Sequence, residues 1–255
     1  MLLTIDVGNS NIVIAVFEDN DMLESWRLHT DTNQTSDDWW LTVKALLENA
    51  ALDPTDLEAA VLGSVAPRVG NAFSSMIVRY LNIQPLIVNA RLPLKVAYKV
   101  DNPDEIGADR ICNVVAARHL YDCPAVVIDL GTATTFDIID AGGDFIGGVI
   151  APGMETSAHY LISKAALLSA IEMKAPGTVI GKDSESNLQA GIVYGAVDQI
   201  DGILERIQAE TGWEQMTVVI TGGLARLLMA ELRFEVLHDP DLTVKGLKLI
   251  YDLCG

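Results

Sequence analysis

One six-residue pattern occurs twice in this chain, about half its length apart, and the repeat limits the folds open to it. Ile5-Asp6-Val7-Gly8-Asn9-Ser10 returns as Ile128-Asp129-Leu130-Gly131-Thr132-Ala133. Each copy ends an apolar run with Asp and then passes through a spacer, Gly and small residues. Each resumes an apolar run, Ile12 to Phe17 in the first copy and Thr134 to Ile139 in the second. That reads as strand, tight turn, strand, occurring twice. An Asp at a strand end beside a Gly turn suits Mg²⁺ and phosphate. The carboxylate is a hard oxygen ligand, and Gly lets backbone N–H groups approach phosphate oxygens. D-x-G is also a common hairpin turn, but duplication at half-chain spacing favours a paired function. Two such turns on two related halves predict a cleft that clamps a nucleotide from both sides.

The 255 residues are 50% hydrophobic and 20% charged, enough for one large core or two small domains. Mean hydropathy is +0.29, yet no apolar run reaches the ~18 residues that span a bilayer. The first apolar segment lacks a basic region and is broken by Asp6, unlike a signal peptide. Cys112, Cys123 and Cys254 have no metal-ligand spacing and read as reduced thiols of a cytoplasmic protein. His29, His119, His159 and His238 are scattered and pair with no Cys or Glu at metal spacing. The net charge of −18 argues against nucleic acid or an anionic membrane as partner. It also opposes binding of ATP, so Mg²⁺ and local cations must offset it. Lys95, Lys99, Arg110, Lys164 and Lys182 are the candidates.

Residues 2–30 read as a three-strand meander. Thr35-Ser36-Asp37-Asp38 reads as a helix N-cap with acids in the first turn, and the helix carries Trp39, Val43, Leu46 and Leu47 on one face. A strand at 59–62 ends at Gly63, followed by a helix at 69–81 and a strand at 85–88. Tyr98 to Pro103 is an irregular loop, and Gly107 to Arg110 opens a helix running to about Tyr121. The second half begins with a strand at 125–129 and its hairpins, with a turn at Gly142-Gly143 and Gly147-Gly148 closing the third strand. Helices are expected near 154–170, 184–211 and 223–231, and Val218 to Thr221 is a strand entering a turn at Gly222-Gly223. The pattern predicts an α/β chain of two structurally related domains, 1–118 and 119–255, joined by the helix around 108–121. That is the plan of the actin-like (ribonuclease H-like) fold of actin, sugar kinases and chaperone ATPases, with the nucleotide cleft between the halves.

The chain has no G-x-x-x-x-G-K-[ST], which excludes a P-loop mechanism, and no G-x-G-x-x-G opening a helix. Asp6 and Asp129 end equivalent strands, and one or both could hold the cations that bridge phosphates. Asp109 lies at a helix start beside Arg110, which favours its ionised form. It could accept the proton of a substrate alcohol as the hydroxyl attacks the γ-phosphate. Spacing alone leaves an equal alternative, a first-turn acid complementing the helix dipole. Gly222-Gly223 is either a packing turn or a place where adenine or ribose lies close on backbone.

Together these motifs resemble the type III pantothenate kinases over nearly the whole chain. Asp6-Val7-Gly8-Asn9-Ser10 is similar to the family's D-x-G-N-[TS] phosphate motif. Asn102-Pro103 with Gly107-Ala108-Asp109-Arg110 is similar to N-P-x-x-x-G-x-D-R, and Asp129 to Thr135 to D-x-G-T-A-x-T. Gly147 to Gly153 resembles G-G-x-I-x-P-G, and Thr221-Gly222-Gly223 the adenosine-side turn. The resemblance implies ATP-dependent phosphorylation of the pantothenate alcohol, the first step towards coenzyme A. It implies Asp109 as base, and Tyr98 with Gly107, Ala108, Asp109 and Arg110 as the pantothenate site. Asp6, Val7, Gly8, Asn9, Ser10, Asn11, Ile12, Val13 and Thr132 would contact ATP. Asp129 would bind a monovalent cation, K⁺ or NH₄⁺, which also answers the charge problem. The family is a homodimer with substrate contacts across its interface, and Ser184 stands where a substrate-contacting Thr is usual.

Ser10 and Ser184 replace Thr and keep a hydroxyl, while Ala15 replaces a usual Gly. Asp183 replaces Asn, Thr32 stands where Arg is common, Lys164 replaces Arg, and Leu167 and Ser169 replace Lys and Pro. This loss of positive charge keeps two alternatives open: a related kinase with another small alcohol or carboxylate as acceptor, and a non-catalytic regulatory homologue. Intact Asp6, Asp109 and Asp129 speak against the latter.

Overall fold

The expected meander forms from Leu2–Val7 (β1), Asn11–Glu18 (β2) and Asp21–His29 (β3), all antiparallel. The computed structural model describes residues 1–165 and 168–255. Ser36–Asn49 (α1) starts at a capping box, in which the Asp38 N–H donates to Thr35 Oγ1 and the Thr35 N–H to Asp38 Oδ2. Trp39, Val43 and Leu47 of α1 are buried, whereas Leu46 is only half-buried. Ala59–Ser64 (β4) pairs parallel with β1. Pro67–Met76 (α2), extended by a wider turn over Ile77–Leu81, leads to Leu86–Ile87 (β5). Ala108–Leu120 (α3) follows the irregular loop.

The second unit repeats this plan. Ala125–Leu130 (β6), Ala133–Ile139 (β7) and Phe145–Pro152 (β8) form an antiparallel meander. Met154–Lys164 (α4) and the long Ser184–Thr211 (α5) precede Thr217–Thr221 (β9), Ala225–Leu228 (α6) and Leu237–His238 (β10). The strand orders are β3-β2-β1-β4-β5 and β8-β7-β6-β9-β10, so the duplicated sequence pattern is a duplicated sheet. Val126, Ile128, Leu130 and Phe136 bury one face of the second sheet against Val193, Val197, Ile200 and Leu204 of α5.

The chain divides into Met1–His119 with Asp241–Gly255, and Leu120–Pro240. The last residues thus group with the first unit. Leu242–Cys254 (α7), a helix the motifs did not announce, packs in the first unit. The strand period explains why it is held there. Leu3, Ile5 and Val7 of β1 face α1 and α2, whereas Leu2, Ala15, Phe17 and Val61 face Ile111, Cys112 and Val115 of α3 with Val244, Leu247 and Ile250 of α7. Without α7 this second apolar face would be only partly covered.

Other boundaries moved. Gly147 and Gly148 do not close β8 but lie inside it. Gly147, at φ +140°, accompanies a register shift at Ile138/Ile139, and pairing continues to Pro152. Helix α4 stops at Lys164 rather than near 170, and Leu167 lies outside the described residues. Helix α6 spans four residues instead of the longer helix expected over 223–231.

Candidate functional site

The first Asp turn is built by backbone hydrogen bonds. The Gly8 N–H donates to the Asn11 carbonyl at 2.9 Å, and a Cβ on Gly8 would lie 2.8 Å from that same oxygen. Thr30, just past the end of β3, holds the turn twice. Its hydroxyl donates to Gly8 O at 2.8 Å and its N–H to Ser10 O at 3.0 Å. Asn9 and Ser10 are left exposed, while Val7 and Ile12 are buried in the core. Of the segment Asp6 to Val13, therefore, Val7 and Ile12 can offer a ligand only backbone.

Alternation places Asp6 on the α3 side of the sheet, opposite Gly63 in the register with β4. Gly63 has no side chain, so the start of α3 comes down beside it. A Cβ there would lie 3.6 Å from Ala108 Cβ and 3.8 Å from Cys112 Sγ. Three expected site residues share Cys112 as a neighbour. Burial pushes the Cys112 thiol up, and the Asp6 and Asp109 carboxylates add to it. Burial, then Cys112, pushes the Tyr98 phenol up to about 12. Asp6, Tyr98 and Asp109 are thus all within electrostatic reach of one thiol.

Asp109 departs from the sequence expectation in its electrostatics. Burial raises its carboxyl above the ordinary carboxylate range, outweighing the Arg110 N–H, which donates to Oδ1 at 2.8 Å, and the Arg110 charge. Arg110 does not win because desolvation of a half-buried carboxylate disfavours the charged form more strongly. The result is a more basic carboxylate. Gly107 makes room for it, since a Cβ there would lie 2.5 Å from Asp109 Oδ1 and 3.2 Å from Val65 Cγ1. Ala108 is buried against Gly63, and Arg110 is half-buried.

The second turn is one residue shorter, with Gly131 and Thr132 alone between β6 and β7. The Gly131 N–H donates to Ala133 O at 3.0 Å. Thr132 O accepts from the Gly153 N–H at 3.1 Å and from the Thr156 hydroxyl at 2.7 Å, so the start of α4 is tied to this turn. A Cβ on Gly153 would lie 2.5 Å from Thr132 O. The half-buried Asp129 points along the turn, its Oδ1 3.8 Å from where a Gly131 Cβ would be. Asp137, fully buried, pairs with Val127 on the same sheet face as Asp129. Sequence reading passed over Asp137 because it lies within an apolar run.

Gly222 and Gly223 differ. Gly222 adopts φ +95° against Leu130, whereas a Cβ on Gly223 would meet no heavy atom within 4 Å. A cavity of about 220 Å³ in this unit is lined by Leu130, Gly131, Thr134, Gly191, Gly195 and Leu224. It therefore borders both the Asp129 turn and the glycine turn.

Ser184 is exposed at the first residue of α5. Its neighbour Asp183 is the N-cap of that helix. Asp183 Oδ1 accepts from the Ser186 N–H and hydroxyl, each at 2.8 Å, and the N–H bond holds its carboxyl below the usual range. Thr32 and Lys164 are exposed, the latter with its ammonium 5.5 Å over the Tyr160 ring. Among the described residues no three His, Cys, Asp or Glu side chains gather as a metal site. Each turn offers a single carboxylate, and Mg²⁺ is commonly held by one or two carboxylates when phosphates and water supply its other oxygens.

Paired five-strand sheets, each carrying an Asp–Gly turn after its first strand, define an actin-like fold of the ATPase and sugar-kinase type. The activator of 2-hydroxyisocaproyl-CoA dehydratase from Clostridium difficile, solved with bound ADPNP, shares this fold. It has a TM-score of 0.55 and 11% identity, over 99% of this chain and 95% of that one. The description of the type III pantothenate kinase family matches residues 2–206. Type III pantothenate kinases of Exiguobacterium sibiricum and Agathobacter rectalis are 43% and 41% identical, over 99% and 98% of this chain and 99% and 96% of their own lengths. The chain belongs to the type III pantothenate kinase family.

Proposed function

We propose that this chain transfers the γ-phosphoryl group of ATP to the hydroxyl of pantothenate, giving 4'-phosphopantothenate, with Asp109 as the base. The observation that carries this reading is the half-buried Asp109 carboxyl, placed by Gly107 and Gly63 near the Asp6 turn and raised above the ordinary carboxylate range by its burial. A carboxylate of raised basicity takes a proton from an alcohol more readily than an ordinary surface Asp. Tyr98 and Gly107 to Arg110 orient the acceptor. The N–H groups and polar side chains of Asp6 to Val13, with Thr132, receive the phosphates. Gly222 and Gly223 receive the adenosine end, and the cavity beside Leu224 supports that assignment.

Mg²⁺, when bound, neutralises charge on the transferring phosphates. Asp6 and Asp129 are the carboxylates that would hold it and a monovalent cation, K⁺ or NH₄⁺, with Asp129 assigned to the latter. Because the chain carries −18, these cations decide whether ATP binds at all.

Ser184 acts from a second copy. Exposed Ile150, Tyr160, Leu161, Val179 and Ile180 support a homodimer in which the second unit carries the contact surface. Free cysteines support a reducing compartment, the cytoplasm, and no helix among the described residues is long and apolar enough to cross a membrane.

The direct test is ADP release from ATP and Mg²⁺, with and without pantothenate, in K⁺ and then in Na⁺ buffer. Pantothenate-dependent turnover that needs K⁺ is expected. ATP binding without pantothenate-dependent turnover would overturn the acceptor.

A further inference from the structure

Helix α7 lies beyond residues 2–206, and no motif pointed to it. It nevertheless touches the helix that carries Asp109, on a particular face and by unusual means. Asp109, Cys112 and Asn113 stand at i, i+3 and i+4 on α3 and so share one face. Thr243 and Gly246 stand at i and i+3 on α7 and share another. At Gly246 the two helices meet backbone to backbone. A Cβ there would lie 2.7 Å from the Cys112 carbonyl carbon and 2.9 Å from Cys112 Cα, closer than real Cβ atoms come. One turn earlier on α7, the Thr243 hydroxyl donates to Asn113 Oδ1 at 2.9 Å, and Asn113 is fully buried. Gly63 of β4 leaves room on the sheet for Ala108 and Cys112 of α3 and for Leu247 of α7. Cys112, one turn after Asp109, therefore lies close to two glycines, and the Thr243–Asn113 hydrogen bond adds a buried polar contact between the helices.

We propose that Thr243 and Gly246 are positioning residues for phosphoryl transfer, holding the first turn of α3 so that the Asp109 carboxylate meets the substrate hydroxyl. The inference rests on the assignment of Asp109 as base. At Gly246 no side chain stands between the two helices, so a displacement of α7 there passes directly to the Cys112 backbone. Asp109 lies a single turn from the contact. Reacting groups misplaced by about 1 Å lose on the order of a hundredfold in rate. A contact of this kind governs kcat and acceptor binding, not ATP affinity.

The experiment compares Thr243→Val, Thr243→Ser, Gly246→Ala and Asp109→Asn with the unaltered chain, in kcat, both KM values and the pH profile of kcat/KM. Thr243→Val keeps the shape and removes the donor. It is expected to lower kcat about tenfold or more with the KM for ATP within about twofold. Its acid limb should move towards the ordinary carboxylate range as Asp109 becomes wetter. Thr243→Ser should restore both, and Gly246→Ala should be more severe. Thr243→Val with unaltered kcat and an unaltered pH profile would overturn the proposal. So would activity lost only in proportion to folded protein by circular dichroism. Undiminished turnover in Asp109→Asn is a different result, and it would remove the base assignment itself.

Discussion

Gly222 packs on the backbone of Leu130 so closely that a Cβ would lie 2.5 Å from the Leu130 carbonyl oxygen. This contact joins the end of β9 to the turn that carries Asp129, and Gly222 makes it at φ +95°. Gly222→Ala therefore faces both a strained backbone, about 1–3 kcal/mol, and a clash with atoms that cannot rotate away. It should lower the melting temperature by several degrees and weaken ATP binding about tenfold or more. Gly223→Ala meets nothing within 4 Å and should melt like the unaltered protein. A loss of ATP affinity in Gly223→Ala at constant melting temperature would place the nucleotide against that backbone. Calorimetric melting and ATP titration of the two variants decide the matter.

Asp109→Asn should separate stability from activity. Turnover should fall about 10²–10⁴-fold, the usual contribution of a general base. Stability should move the other way. The carboxyl is raised above its ordinary value in the folded chain, so the folded state disfavours the charged form. That penalty is present above the folded pKa and vanishes below the unfolded one, near 3.9. The Asn variant should thus be the more stable protein at pH 7, with the difference closing as pH falls towards 4. In the active protein, the acid limb of kcat/KM should lie above the ordinary carboxylate range. Melting curves at three pH values, with a pH–rate profile, test both parts.

Much of this was legible in the sequence because the relevant signals are local. The two D-x-G turns announce themselves by the apolar runs beside them, and the Thr35 cap by residues three positions apart. Asp109 was legible as a residue but not as an environment. Arg110 is adjacent in sequence and suggested a stabilised anion, whereas the burial that prevails comes from distant packing. Helix α7 was missed because its purpose lies in contacts between Gly246 and Cys112, and between Thr243 and Asn113, far apart along the chain. Gly63 carried no signal either. A glycine ending a strand reads as a turn, and only the register opposite Asp6 shows that its missing side chain seats α3.

Asp183 illustrates a substitution whose chemistry the structure reassigns. Read as sequence, it adds negative charge near an anionic substrate. In the fold, its carboxylate caps α5 through Ser186. Asn is also a good N-cap, so Asp183→Asn should leave the melting temperature almost unchanged, whereas Asp183→Ala should lower it by roughly 2–4 °C. If Asp183 also repels the substrate, Asp183→Asn should lower the KM for pantothenate. An unchanged KM would mean that the acid serves only the helix.

Asp129 is the residue on which the charge problem turns. Its carboxylate lies beside Gly131 near the end of β6, where the Asp129 backbone is in register with Thr135 and Thr221. Asp137 lies buried on the same face. Two acids on one face of a chain carrying −18 disfavour an anionic ligand unless a cation joins them. Asp129→Asn removes one charge while keeping the shape. If Asp129 binds the monovalent ion, ATP affinity in the variant should no longer rise with K⁺. It should also improve in Na⁺ buffer relative to the unaltered protein, because one repulsive charge has gone. If Asp129 instead holds only Mg²⁺, the K⁺ titration should keep its shape and the Mg²⁺ requirement should rise. Titrating ATP binding against K⁺ at fixed Mg²⁺, and against Mg²⁺ at fixed K⁺, separates the two assignments.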